Sequence, residues 1–434
     1  MRLKTWAAGI AVALTLPFLH GCGNDDAQKG EVRIINATTE YPSVDLYTQA
    51  SDGSDDLVVS GTAAGTASAY TGVDRGSQTF VIKSSGAAAN AATVTGTVAK
   101  TDHYSIVTYL TGGKASATFL SDEESHPASG NAKLRIFNAA TGEAASVDVY
   151  LSTNACNALT VTDTAFASGV TGLQTAYGQV TASAAGTPWN VCVFSAGDTS
   201  TLLLDLPGLT LKDQEIATLI LTHTAGGVLL NGAVLDQQGA MTSSTSQISR
   251  VRVAADAASS GQVSVTLGSV NLTSLATSPS VNDYETIASG TLSGSVTING
   301  TSTPITSLAL TPGTDYTLLV SGDASAPVVT LIADNNTPST STTSTVKARV
   351  INGVNGLSGT LSATIDNKSL GNVTPNTASS YVQIPATTGT STVQASIVTN
   401  PASLVNQSFT ANGVYTVFIW GDASAPKLAI SQDR

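Results

Sequence analysis

The chain has 434 residues, with 18 basic and 30 acidic side chains and a net charge of −12. Only 11% of residues are charged, against roughly a quarter in an average soluble domain, and Thr, Ser, Ala, Gly and Val take up the difference. This balance excludes recognition of nucleic acid or anionic lipid through a basic patch, and the length exceeds what one hydrophobic core usually serves, so several domains are expected.

The first four residues, Met1-Arg2-Leu3-Lys4, carry two positive charges and precede an apolar run from Thr5 to Leu19. That run is too short for a lasting transmembrane helix and predicts a removable signal peptide over residues 1–21. Its ending, Leu19-His20-Gly21-Cys22, resembles the bacterial lipobox, departing from it only at His20, where a small residue is usual. The resemblance implies that the Cys22 thiolate takes a diacylglyceryl group and that the new amino terminus is acylated as well. Two or more chains give stable anchoring, at roughly 0.8 kcal/mol per buried methylene. Gly23, where an Asp would tend to retain a lipoprotein at the inner membrane, implies the outer membrane of the cell envelope, on its periplasmic or surface-exposed face. Residues 22–30 are small, polar and charged, as a tether requires. No later stretch is long and apolar enough to cross a bilayer as a helix.

Four related segments follow. Their openings are Val32-Arg33-Ile34-Ile35-Asn36, Leu134-Arg135-Ile136-Phe137-Asn138, Val251-Arg252-Val253-Ala254 and Ala348-Arg349-Val350-Ile351-Asn352, each placing an Arg within an apolar strand. Their closings run from Tyr104 to Val107, Ile216 to Ile220, Tyr316 to Val320 and Tyr415 to Ile419. Aperiodic stretches, Asp122 to Gly130, Met241 to Gln247 and Asn335 to Thr345, read as linkers. The domains predicted between them are 31–122, 131–240, 248–335 and 346–434. Each has the size of an immunoglobulin-like sandwich, and short β-branched runs broken by turns predict an all-β, antiparallel fold throughout. Asn299-Gly300 between alternating runs marks a hairpin, and Asn231-Gly232 suggests another.

With these residues in view, the chain resembles the bacterial domain-of-unknown-function family DUF4397, which opens with an Arg-bearing strand, an Asn-Ala-Thr type of turn and a Val-Asp-Val-Tyr strand. Arg33 to Thr38 with Pro42-Ser43-Val44-Asp45-Leu46-Tyr47 carries the resemblance, and Arg135 to Ala139 with Val147 to Tyr150 repeats it. The third and fourth segments keep the Arg but have Val263-Ser264-Val265-Thr266 and Leu361-Ser362-Ala363-Thr364 in place of the Asp-containing strand. The resemblance implies a β-sandwich module of exported proteins and no established activity.

Cys156 and Cys192 both fall in the second segment, and an exported chain predicts a disulfide between them, contributing roughly 3 to 4 kcal/mol. His103, His126 and His223 stand in separate contexts and read as solvated. Asp52-Gly53-Ser54-Asp55-Asp56 lacks the distant Glu of a calcium loop and reads as a turn. Arg33 with Asp45, and Arg135 with Asp148, are expected to pair across neighbouring strands as a packing or edge feature. Tyr109 and Trp420, at the ends of closing strands, are expected to contact a covering loop or neighbouring domain, with stacking on sugars as the other reading. No zinc-protease, serine-hydrolase or phosphate-loop motif is present, and neither a metal nor a cofactor is implied. The sequence therefore predicts no enzyme but a lipid-anchored string of four sandwiches, a structural or partner-binding lipoprotein of the envelope. Its partners would be the membrane and an envelope protein or glycan. The alternative is a carbohydrate- or small-molecule-binding protein.

Overall fold

The structure is a computed structural model that describes residues 28–111, 114–140, 146–160, 162–183, 188–224, 226–257, 260–338, 344–396 and 401–434. The predicted signal peptide, Cys22 and most of the tether lie outside the described residues.

Each of the four segments is built from two sheets. In the first, the opening strand Lys29–Asn36 lies between Thr71–Asp74 and the closing strand His103–Thr111, with the final strand Lys114–Ser121 at the edge. The second sheet runs in the order Asp55–Ala63, Ser43–Gln49, Gly76–Ser84, Asn90–Val98. The other three segments repeat this plan, so the all-β sandwich class holds. One ladder per domain departs from the antiparallel expectation. Opening and closing strands run parallel, setting Arg33 opposite Ser105, Arg135 opposite Thr218, Arg252 opposite Thr317 and Arg349 opposite Thr416. A parallel pair needs a long crossover, and here the rest of the domain supplies it.

The opening strands read as nearly unbroken apolar runs because both of their faces are covered. Val32 and Ile34 enter the first domain's own core with Leu46, Phe80, Ile82 and Ile106. Ile35, on the other face, joins Val107, Tyr109 and Leu120 against Phe137, Ile220 and Leu235 of the second domain. Ala254 and Leu319 of the third domain meet Ile351, Phe418 and Trp420 of the fourth in the same way. The four domains thus form two face-to-face pairs, not the separated string that the linker spacing suggested. A sheet apolar on both faces cannot leave one of them in water. Where the second and third domains meet, the contacts include backbone bonds: the Gln247 amide donates to the Asp205 carbonyl at 2.8 Å and the Asn336 amide to Gly226 at 3.0 Å.

Two local expectations fail. Met241–Ser244, placed in a linker, is a fifth strand on the second domain's sheet, and the Ser243 hydroxyl donates to the Gly65 carbonyl of the first domain at 2.7 Å. An edge strand of Thr and Ser carries no hydrophobic alternation to betray it. Asn231-Gly232 is not a turn but lies within the strand Leu230–Asp236, where a β-carbon on Gly232 would come within 2.9 Å of Leu206. The Asn299-Gly300 hairpin is present, with φ of +48° and +82° at its two turn residues.

Candidate functional site

Around each opening-strand arginine the chain gathers the same partners. The guanidinium Nε donates to a closing-strand hydroxyl: Ser105 at 2.7 Å, Thr218 at 2.8 Å, Thr317 at 2.9 Å and Thr416 at 3.2 Å. Its face lies over a tyrosine ring: Tyr70 at 4.6 Å, Tyr177 at 4.7 Å, Tyr284 at 4.7 Å and Tyr381 at 4.8 Å. All four arginines are buried, and an unpaired guanidinium would be prohibitively costly there.

The compensating charge comes from the ends of the final strands. Arg252 donates to Asp433 of the fourth domain at 2.6 Å and to Ser431 at 2.8 Å. Arg349 in turn donates to Asp334 of the third domain and to the Ala333 carbonyl at 3.1 Å. Asp334 also accepts from the Tyr284 hydroxyl at 2.6 Å and Thr317 at 2.7 Å, and Asp433 from Thr416 at 2.5 Å. Burial alone would lower the basicity of Arg252, but Asp433, with Tyr284 and Asp334 behind it, raises it overall and holds the guanidinium charged. Burial, reinforced by Asp334, raises the Tyr284 phenol and keeps it a neutral donor.

The first pair has one carboxylate for two arginines. Asp122 accepts from Ser105 at 2.5 Å and Tyr70 at 2.6 Å, with Arg33 at 3.6 Å and Arg135 at 3.8 Å. Asp122 and Asp433 each donate their amide to the residue two before the closing hydroxyl, His103 and Val414. In the second domain the residue so placed, bonded to Ile216, is Gln237. Its carboxamide turns to the Glu124 backbone, at 3.0 and 2.8 Å. Arg33 therefore donates to the carbonyls of Gly239 at 2.5 Å and Asp236 at 3.1 Å.

Asp45 does not pair with Arg33, because the two strands belong to different sheets. Its Oδ1 accepts from the Gly61 amide and the Ser85 hydroxyl, both at 2.7 Å. Asp148 likewise accepts from the amides of Gly169 at 2.6 Å and Gly197 at 2.8 Å. Gly61 and Gly169 have φ of +69° and +58°, so each Asp clasps a left-handed bulge in the neighbouring strand. In the third domain Ser264 takes over, accepting from the amide of Leu275, whose φ is +50°. The missing Asp is thus a substituted acceptor, not a lost site.

Cys156 and Cys192 form the disulfide, joining a short 3-10 turn to the strand Trp189–Ser195 beside Tyr150 and Phe194. His103 meets Glu123 at 2.8 Å, and His126 meets the Gln214 carbonyl at 2.8 Å. His223 corrects the solvated expectation. It is 1% exposed, with Nε2 2.6 Å from the Thr39 hydroxyl and 3.5 Å from Glu40, because the first domain covers its strand end. Burial alone would raise the Glu40 carboxyl, but His223 holds it below the ordinary range. His223 and Thr39 border a cavity of about 410 Å³ between the first two domains, walled also by Thr38, Asn231, Met241 and Ser243.

Tyr109 and Trp420 are 6% and 3% exposed, Tyr109 edge-on to Phe137 at 5.8 Å and Trp420 stacked on Phe418 at 4.9 Å. They are domain-pairing contacts, with no free face for a sugar. Asp52 accepts from the Ser54 amide and hydroxyl, closing a turn, and Asp55 pairs with Lys83 at 2.8 Å. No cluster of three or more metal-ligating side chains occurs among the described residues. The four tyrosines were not picked out from the sequence, although three of them carry a Ser/Thr-x-Tyr step, Ser68-Ala69-Tyr70, Thr175-Ala176-Tyr177 and Ser379-Ser380-Tyr381, whereas Tyr284 follows Asn282-Asp283. The leading hydroxyls accept the amides of Ile34, Ile136 and Val350, at 3.0, 3.1 and 3.1 Å.

The Bacillus anthracis TIE protein is similar at 8% identity and a TM-score of 0.15, over 68% of this chain and 50% of that one. The chain thus spans half the length of that protein. A candidate cell adhesion protein from Bacteroides uniformis is similar at 10% identity and a TM-score of 0.13, over 70% of this chain and 100% of that one. No curated protein matches the chain. Residues 30–150, spanning the first domain and the opening of the second, match the family described as "Domain of unknown function (DUF4397)".

Proposed function

We propose that the protein is a non-enzymatic lipoprotein of the bacterial cell envelope, held to the outer membrane by acyl chains on Cys22 and presenting two closed domain pairs to envelope partners. The observation that carries this reading is where the polar chemistry goes. The recurring Arg, Tyr, hydroxyl and Asp groups bond one another across the paired domains, with Asp334, Arg349 and Tyr381 also bordering an open hollow of about 740 Å³, and groups engaged in this way support action through reach and surface. The lipobox residues Leu19, Gly21 and Cys22 and the polar tether behind them supply the anchoring half of the proposal. The carbohydrate-binding alternative finds less support, since Tyr109 and Trp420, its two stacking residues, are buried.

The test is labelled-palmitate incorporation and membrane fractionation of the native protein beside Cys22→Ala. A labelled, outer-membrane-bound native protein and an unlabelled, released variant are expected. Label and membrane association that survive the substitution overturn the anchored reading.

A further inference from the structure

Asp256 is an ionisable group placed at the joint between the third and fourth domains. It is the penultimate residue of the third domain's opening strand, Ile248–Ala257, and is 3% exposed. Its Oδ2 accepts from the Gly421 amide, at the end of the fourth domain's closing strand, at 2.6 Å. Asn355 of the fourth domain spans the same corner. Its carboxamide donates to the Asp256 carbonyl at 2.9 Å and approaches Oδ2 at 3.5 Å, and its Oδ1 accepts from the Gly322 amide at 2.9 Å. Its own amide donates to the Gly421 carbonyl at 2.9 Å. The charged groups facing Asp256 are Asp422, beside Gly421, and Lys427 on the final strand of the fourth domain. The Asn355 loop and the Ser321-Gly322 segment of the third domain present only neutral groups.

A buried carboxylate with one short hydrogen bond, no ion pair within 4 Å among the described residues and a second carboxylate nearby is poorly compensated as an anion. We propose that this corner is a proton-operated latch, in which proton uptake by Asp256 tightens the third domain against the fourth and proton loss loosens it.

The Asp256 carboxyl is pushed up to about 6, chiefly by burial and further by Asp422, against the opposing pull of the Gly421 amide and Lys427. A carboxyl raised in the closed state binds its proton more tightly closed than open. Closure is therefore favoured at low pH, weakens as pH rises from about 4 to about 6, and changes no further above that. A gap of about two units corresponds to a change of up to about 100-fold in the opening equilibrium.

The experiment is hydrogen exchange on the full chain from pH 4 to 7.5, corrected for the intrinsic rate and read at the Asn355 and Gly421 amides. In the native protein the opening constant is expected to rise up to about 100-fold between pH 4 and 7. Asp256→Asn, which keeps the shape without the titration, should be flat. Asp422→Asn should move the midpoint to lower pH and keep the rise. A flat native profile overturns the proposal, as does a rise retained in Asp256→Asn. Should Asp256→Asn fail to fold, the native profile and Asp422→Asn decide: an unmoved midpoint assigns the rise to another group.

Discussion

Arg252 of the third domain donates to Asp433 of the fourth at 2.6 Å, across 181 residues of sequence. Arg349 returns the contact from the fourth domain to Asp334 of the third, so each partner supplies one cation and one anion. Desolvating two charges costs several kcal/mol per ion, and the attraction repays this only when the remaining polar groups are satisfied. The flanking Thr317, Thr416 and Tyr284 hydroxyls meet that condition. Both bridges are made together in one register of the two sheets.

Removing one partner should therefore cost far more than removing both. Asp433→Asn leaves Arg252 buried without its carboxylate and is expected to destabilise the third and fourth domains by about 3–5 kcal/mol. Arg252→Met combined with Asp433→Leu should lose clearly less than the two single variants added together. Urea unfolding followed by tryptophan fluorescence gives the double-mutant cycle. Strict additivity would show that the two side chains do not act as a pair.

The bulge clasp predicts an acid-sensitive contribution from the first domain. The Gly61 amide and Ser85 hydroxyl hold the Asp45 carboxyl below its usual range although burial works against them. A carboxyl lowered on folding stabilises the native state at neutral pH and loses that contribution as pH falls through its folded value. Asp45→Ala strands the Gly61 amide and is expected to cost about 1–3 kcal/mol at pH 7. Asp45→Ser, which copies the natural arrangement at Ser264, should cost less and should flatten the acid limb of melting temperature against pH. An Asp45→Ser protein as acid-labile as the native one would count against the clasp.

Periodicity showed the opening and closing strands, because repeats, β-branched runs and the Asn299-Gly300 turn are local signals, but not the Thr/Ser edge strand Met241–Ser244. The Cys156–Cys192 pairing was legible too, since the segment offered no other partner. What lay opposite each arginine was not legible. Arg33 and Asp45 stand close in sequence, yet adjacent strands of a sandwich enter different sheets, and the true neighbours Ser105 and Asp122 arrive with the crossover. His223 misled in the same way, for it sits at a strand end where an isolated domain would meet water and the paired domain meets protein, whereas Tyr109 and Trp420 meet the neighbouring domain as expected. Gln237 makes the point at one residue, for nothing in its surroundings marks it as the place where three other domains or linkers carry Asp122, Asp334 and Asp433.

Trp420 separates a packing role from a ligand-binding one. Buried against Phe418, with Ala254 and Leu319 of the third domain in the same cluster, it should cost about 3–5 kcal/mol on replacement by Ala. In calorimetry the loss should appear in the transition of the third and fourth domains and leave that of the first and second in place. A surface platform for sugars would predict a Trp420→Ala protein of native stability, so an unshifted transition would reopen the carbohydrate reading.

The disulfide ties down a covering segment, not the sandwich core. Cys156 sits in the 3-10 turn Cys156–Ala158 and Cys192 on the strand Trp189–Ser195, 36 positions further along the sequence. Tyr150, Phe194, Leu159 and Leu202 pack around the bridge in a cluster separate from the main core of Val149, Val191, Val193 and Leu204. Closing a loop of this length removes about 4 kcal/mol of unfolded-state entropy in the chain model, which sets an upper bound on what the bridge contributes. Cys156→Ser with Cys192→Ser is therefore expected to lower the second domain's stability by about 2–4 kcal/mol and to leave the sheets intact. Circular dichroism should keep its β signature, and limited proteolysis should cut first between residues 152 and 166. The first domain, whose second sheet stands without a bridge, provides the internal comparison: the reduced second domain should approach its stability. Loss of β structure throughout the chain on reduction would show instead that the bridge is required for the sandwich itself.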